Sequence, residues 1–579
     1  MKKPQISNVA RAAKLFLVIL FLSPVFNARA QFTFTTNGDG SLNIALYTGS
    51  HGVVLIPNTT NGLRITSIGA AAFFNNTNVT SVTIGTNVGI ILDQAFSYST
   101  ITSVALPASV TNIAFDAFLD CYDLTNFSVA TNDPDFSSVA GVLFNQNQTT
   151  LISYPEGRAG GYAVPNSVTN IGIYAFFGSS NLASVALSTN VDTIENYAFY
   201  NCPGLAAIAV NTNNQSYSSV AGVLFDKNQD TLIAFPAGNA AASYTMPNVV
   251  TNIGMEAFYG CQKLTNVTIG TNVVVVGDAA FDYCTALTGI TLPNSVAVIS
   301  GDAFAECRAL ASIAIGTGVT NIMYQAFIGC SSIAAITVAA GNPAFSSVGG
   351  VLFDKNQALL VLYPPASSAV SYAVPGTVTN IMADAFMDSD NLASVTLDSN
   401  LQSLGDSAFQ NCFNLTSIAI PNSVTSMGNF VFYQCVSLTN VIVGSGLNDI
   451  GFQVFAYCYS LAGAYFTTNA PAMNADAFDD DFLATAYYLP GMTGWNTIFD
   501  GLPTALWLPQ IVDSAVRTNQ FGFLVNWASG EKVVVEACTN LAGPVWSPLQ
   551  TNLLSGNSWP FSDPQSTNFP NRFYRAISP

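Results

Sequence analysis

The chain has 579 residues, half of them hydrophobic and 8% charged, with 15 Lys and Arg against 33 Asp and Glu and a single His. So few basic side chains argue against nucleic acid or anionic lipid as partners, because both are held by clustered Lys and Arg. The apolar content and the lack of a low-complexity tract argue against a largely disordered chain.

In chain order, residues 1–30 open with Lys2, Lys3, Arg11 and Lys14, continue with the apolar run "LFLVILFL" and finish with "ARA" at Ala30. This is the pattern of a secretory signal peptide cleaved after Ala30, and the run is too short to span a bilayer. Five basic residues and no acidic ones lie in that segment, so the mature chain is expected to carry 10 basic against 33 acidic side chains, a net of −23. The lone His51 follows in the turn "TGSHGVV" and reads as a loop residue, so no His-based triad or zinc site can be assembled. "NGDGSLN" from Asn37 reads as a hairpin turn, since Leu42 and Thr48 stand where a calcium loop needs Gly and Glu.

From Phe73 to Phe478 a motif centred on "AF" recurs at intervals of 22 or 23 residues, with three longer intervals of 58 or 59. Around Phe258 the apolar positions are Val250, Ile253, Leu264, Val267 and Ile269. No unit of this size can bury six apolar side chains alone, so the repeat predicts stacked coils sharing one core. Within a unit "LTNVTI" predicts a short strand with Val267 and Ile269 inward and Thr268 outward, "SVTNIG" a second extended piece, and "AFYGC" a short helical turn. The expected fold is a β-rich α/β leucine-rich repeat solenoid of short strands and short helical turns, followed by a small all-β domain.

"NSVTNIG..AF..C..LT.V.I" resembles the BspA-like leucine-rich repeat family of bacterial surface proteins, and the resemblance covers roughly residues 53–508. It implies a non-catalytic exported or surface-displayed scaffold for adhesion or attachment to a protein or matrix ligand. Residues 31–52 are then an N-terminal cap, and 509–579 the all-β C-terminal domain, whose end is similar to a tail domain of exported bacterial proteins. The alternative is a glycan-binding protein using the C-terminal aromatics, or a structural envelope component.

Three residues after each motif Phe, nine units carry Cys and the others carry Asn76, Ser99, Ser179, Ser389 and Asp481. A position open to thiol, hydroxyl, amide and carboxylate reads as a small, partly polar pocket of buried free thiols. Bridges between neighbouring coils are the alternative, because strand spacing is within disulfide reach. The long intervals contain "FSSVAGVLFNQNQTTLISYP" and two relatives, each read as two strands joined by a polar turn such as "DKNQ", a hairpin inserted in the coil. Phe144, Phe225 and Phe353 are expected inward, and Lys227 and Lys355 exposed. The outward strand position is plain: Thr83, Ala105, Ser128, Ala186, Ala209, Thr268, Thr291, Ala314, Thr337, Thr396 and Ala419. Binding hot spots favour Trp, Tyr and Arg, so the hairpins are the better candidate contact surface. The acids of "DAFDDDF", Asp476–Phe482, read as a solvated solenoid end rather than a cation site. All five Trp lie after residue 490 and read chiefly as the core of the small β domain. No catalytic, metal or cofactor residue is assigned, the binding residues are left open, and the solenoid is expected to be monomeric.

Overall fold

The computed structural model describes residues 31–50, 52–473, 476–517 and 520–579, so the leader and His51 lie outside the described residues. The chain forms two compact units, residues up to 332 with 339–343, and residues 333–338 with 344–579. Both are built from the same coil.

The coil around Phe258 shows how 23 residues close on themselves. Val250, Ile253, Phe258, Leu264, Val267 and Ile269 are all buried, while Thr268 is exposed. Two strand ladders run along the stack. Asn266–Thr268 pairs in parallel with Gly289–Thr291, and that with Ser312–Ile315. On a second side Asn252–Ile253 pairs with Val275–Val276, then with Val298–Ile299 and Asn321–Ile322.

The third side corrects the expected helical turn. No α-helix occurs among the described residues, whose one short helix is the 3-10 turn Ser566–Asn568. Instead Glu256, Phe258 and Gly260 donate their amides to Asp278, Ala280 and Asp282 of the next coil at 2.9, 2.7 and 2.8 Å. The amides between them, those of Ala257, Tyr259 and Cys261, close local turns three residues back. Pointing alternate amides along the stack requires left-handed backbone at Glu256 (φ 57°) and Gly260 (φ 67°), and the same alternation recurs at Ala279 and Tyr283 (φ 50° and 58°). Such a conformation costs a non-glycine residue roughly 1 kcal/mol, which is about what one intercoil hydrogen bond contributes. An α-helix would turn these amides back on themselves and leave the neighbouring carbonyls unpaired.

Behind this turn ladder the rings stack face to face. Phe258, Phe281, Phe304 and Phe327 follow one another with centroids 4.7, 5.2 and 5.7 Å apart. In the first unit the stack begins in the N-terminal cap, where the hairpin of Phe32–Thr36 and Leu42–Tyr47 sets Tyr47 on Phe73 at 4.9 Å. In the second unit it runs from Tyr363 through Phe386, Phe409, Phe432 and Phe455 to Phe478.

The long intervals are not coils plus an insertion of two strands. Tyr154, Phe235 and Tyr363 occupy the ring position of a coil of their own, each donating its amide to the next coil as Phe258 does. The extra length forms a three-stranded meander: Phe136–Val139 pairs with Val142–Asn145, which pairs with Thr150–Ser153, and the last strand joins the short-strand ladder at Asn170–Ile171. The additional turn falls at Ala140 and Gly141, both at positive φ (49° and 84°), as in the two-residue turns that suit strand twist. Phe144, Phe225 and Phe353 are fully buried, as expected. Lys227 is exposed, but its ammonium turns back onto the Asn214 carbonyl.

Beyond Leu502–Leu506, the last strand of the stack, the second unit continues as two antiparallel three-stranded sheets. Gln520–Asn526 is central to one and Lys532–Cys538 to the other. Phe523, Val525, Trp527, Val533 and Val535 form their common core. This core also takes in Trp507, with Ile442, Tyr465 and Tyr487 packed against it. Those three continue the outward strand position after Ala419. The plain Thr/Ala face therefore becomes apolar where the C-terminal sheets cover it.

Candidate functional site

The turn-ladder side presents the large side chains that the strand face lacks, carried by left-handed residues two from a ring position, such as Tyr174, Tyr197 and Tyr283, and by their neighbours one to three residues from it. In the first unit they gather into one cluster. Phe115 stacks on Tyr174 at 5.6 Å, Tyr174 on Tyr197 at 5.0 Å, Phe177 on Tyr200 at 5.5 Å and Tyr200 on Tyr259 at 3.8 Å. Tyr283 closes the row at 5.8 Å from Tyr259. Phe115 is exposed and the others are half-buried.

Among the described residues of the first unit, crevices open on this side at two places where a meander coil follows an ordinary one. There the rings do not stack: neither Phe118 with Tyr154 nor Phe199 with Phe235 makes a ring contact among the described residues. The turn ladder is interrupted too. At the first junction Asp120, whose amide would reach the next coil, donates instead to Glu156 Oε1 at 2.9 Å. Glu156 fills most of the gap, and about 20 Å³ is left, lined by Phe118, Tyr154, Tyr174 and Glu156. At the second junction Ala237 stands in the place of Glu156, and the crevice is about 150 Å³. Glu195, Tyr197, Phe199, Tyr200, Phe235, Ala237, Glu256 and Tyr259 are among its walls. The amides of Tyr197 and Phe199 have no acceptor among the described residues.

The electrostatics follow from burial. Desolvation, with the Asp120 charge second, pushes Glu156 up to about 9. Desolvation and then the Asp282 charge push Glu256 up to about 8. Tyr259 is pushed up to about 12, chiefly by burial, and Tyr200 is raised for the same reason, so both phenols remain donors.

The other candidates raised by the sequence are placed as follows. All ten cysteines are buried and unbridged. In the repeat, each Sγ donates to the carbonyl of the ring residue one coil earlier, as Cys284 does to Phe258 and Cys307 to Phe281, both at 3.1 Å. Burial pushes thiols such as Cys202 up to about 12, far from a reactive thiolate. Asp481 occupies the same slot and is buried, so the acids of Asp476–Phe482 do not converge. No group of three metal-binding side chains occurs among the described residues. Asp39 caps a tight turn by accepting from Ser41 N and Oγ. Trp527 is buried and donates to the Trp507 carbonyl at 2.9 Å, and Trp546 lies under Arg575. Trp495 stacks on Tyr488 at the end of the solenoid.

The coil and its three ladders define a leucine-rich β-solenoid. The chain matches the family described as BspA type Leucine rich repeat region (6 copies) over residues 55–157, 161–229, 233–359 and 366–483, and it belongs to that family. No curated protein matches it. Among solved structures it is similar to a leucine-rich repeat protein from Eubacterium ventriosum, at 23% identity over 70% of this chain and 92% of that one, TM-score 0.37. It is also similar to the pneumococcal vaccine antigen PcpA, at 18% identity over 64% and 96% of the two chains, TM-score 0.42. A leucine rich cell surface protein from Faecalibacterium prausnitzii is 22% identical over 77% and 96%, TM-score 0.33.

Proposed function

We propose that the protein is an exported, surface-displayed scaffold without catalytic activity, which attaches to a protein or matrix partner through the turn side of its solenoid. The observation that carries this reading is the contrast between two sides of one stack. The strand side presents Thr and Ala, whereas the turn side gathers Phe115, Tyr174, Tyr197, Tyr200 and Tyr259 beside Glu256. Tyrosine is the kind of side chain that dominates binding energy at interfaces. The family to which the chain belongs is consistent with such a role. The glycan-platform alternative loses its main support, because Trp507 and Trp527 are core side chains. In this reading the leader is removed after Ala30, and residues 509–579 close the last coils rather than form a second binding module.

The test is a pull-down and adhesion assay of residues 31–579 against surrounding cells and matrix proteins, with glycan and peptide hydrolysis assayed alongside. Saturable attachment without turnover supports the reading; hydrolysis of either substrate class refutes it. N-terminal sequencing of exported protein should return Gln31.

A further inference from the structure

The second junction is a gap in a regular array, so what would fill it can be read from the coils that have no gap. In an ordinary coil the amides at the ring position and two residues before it donate to backbone carbonyls of the next coil, as Glu256 and Phe258 do to Asp278 and Ala280. At the crevice the equivalent amides, Tyr197 and Phe199, lack that acceptor. Their complement is a row of carbonyl oxygens. Glu195 lines the same crevice and repels anionic oxygens, and Glu256, raised by burial, adds to this only when ionised, which leaves neutral carbonyls such as those of a peptide. The Glu256 carboxylate has no hydrogen bond or ion pair of its own among the described residues, and it faces the Asp282 charge. A cation delivered there would relieve both its desolvation and that repulsion. Tyr197, stacked on Tyr174 through one face, lines the crevice as an aromatic neighbour for the same cation. At about 150 Å³ the crevice is smaller than the roughly 300–1,000 Å³ of small-molecule pockets, so it suits one inserted side chain of a larger partner.

We propose that the crevice between Tyr197–Tyr200 and Phe235–Ala237 is a docking site for an extended basic peptide segment, whose carbonyls take the open amides and whose Lys or Arg side chain pairs with Glu256. This deepens the scaffold reading and rests on it. The first junction serves as an internal control, because Glu156 already fills the equivalent space and caps the Asp120 amide.

The experiment measures binding of fluorescein-labelled deca-lysine to residues 31–579 by anisotropy, with deca-lysine acetylated at every side-chain Nε and a chito-oligosaccharide as competitors. Three variants are compared: Glu256→Gln, Ala237→Glu and, as an exposed control outside the crevice walls that also removes one charge, Asp192→Asn. Glu256→Gln should weaken binding about tenfold. Ala237→Glu should also weaken it, although it adds a negative charge, because it closes the crevice as Glu156 does. Asp192→Asn should change it less than twofold, and neither competitor should displace the probe. Equal or tighter binding by Ala237→Glu, or Glu256→Gln behaving like Asp192→Asn, would show that deca-lysine reads only net charge and would overturn the proposal. Displacement by the oligosaccharide would overturn it in favour of a glycan site. Melting curves of each variant accompany the titrations, and the Glu256→Gln result stands by itself should Ala237→Glu misfold. Cell or matrix attachment that survives in both crevice variants would refute this site and leave the scaffold reading intact; loss of attachment in the unmodified protein would refute the scaffold reading itself.

Discussion

Replacing Phe281 by Ala probes the stacked core most directly. The ring is fully buried between Phe258 and Phe304, with centroids 4.7 and 5.2 Å away and planes tilted by 10° and 3°. Truncating a buried Phe costs about 3–5 kcal/mol through lost transfer energy and the cavity left behind. Two stacked neighbours, each contributing about 0.5–1.5 kcal/mol beyond burial, place this site at the upper end, about 5 kcal/mol. Because a solenoid holds each coil only through its neighbours, the loss should appear locally. Hydrogen exchange should speed up at the turn-ladder amides of residues 258–304, and the urea midpoint should fall. Cys284→Ser, three residues away, keeps a donor for the Phe258 carbonyl and should cost about 1 kcal/mol or less. Phe482, 86% exposed, gives a control substitution to Ala with almost no effect. A Phe281→Ala cost below about 2 kcal/mol, or one equal to that of Cys284→Ser, would refute the argument that the stack carries the coil.

Asp133→Asn should stabilise the first meander by about 1–3 kcal/mol, read as a higher melting temperature. At the matching position Asn214 donates to the Ser188 and Val191 carbonyls, both at 2.8 Å, whereas Asp133 leaves a buried Oδ2 without a partner. Glu156 is raised from 4.5 to about 9, so its contribution is complete below about pH 4.5 and is lost as pH rises toward 9. Glu156→Gln should therefore reduce the fall in stability across that window, where one such group imposes a slope of at most about 1.4 kcal/mol per pH unit; an unchanged slope in pH-dependent urea melts would refute it. Tyr465→Thr, which restores the plain strand-side residue under Trp507, should release the C-terminal sheets. Faster proteolysis after residue 508 with an intact solenoid is the expected result.

Much of this was written in the repeat itself. The burial of Phe258, Val267 and Ile269 follows from spacing alone, and so does the polar tolerance of the Cys284 slot, since any small side chain there faces a carbonyl. The turn ladder was hidden because its left-handed positions hold Glu256, Ala279 and Tyr283 rather than glycine, so the usual marker of positive φ is missing. The meander coils were miscounted because Tyr154 and Tyr363 set Tyr after Ser and Leu where most ring positions have Phe after Ala, and because all three meander ring residues, Phe235 included, precede Pro. Their extra turn did leave a trace in Gly141, Gly222 and Gly350, set inside what read as one strand. Docking of the C-terminal sheets was also legible, in the change from Thr and Ala to Ile442, Tyr465 and Tyr487. The crevice was not, because its volume depends on a single exchange, Ala237 for Glu156, whose effect appears only once the coils are stacked.

The breaks in the first unit's ring stack also bear on how it would respond to tension. A protein that grips one surface while tethered to another is pulled along its chain, and its coils then carry the load in series. At the junctions after Phe118 and Phe199 the ring contact is missing and the turn hydrogen bonds are interrupted, so adjacent coils there rely on fewer bonds than any pair around Phe281. Pulling should part the stack at these two places first and release length in blocks. The meanders would then act as mechanical fuses, sparing the coils between them while the attachment holds.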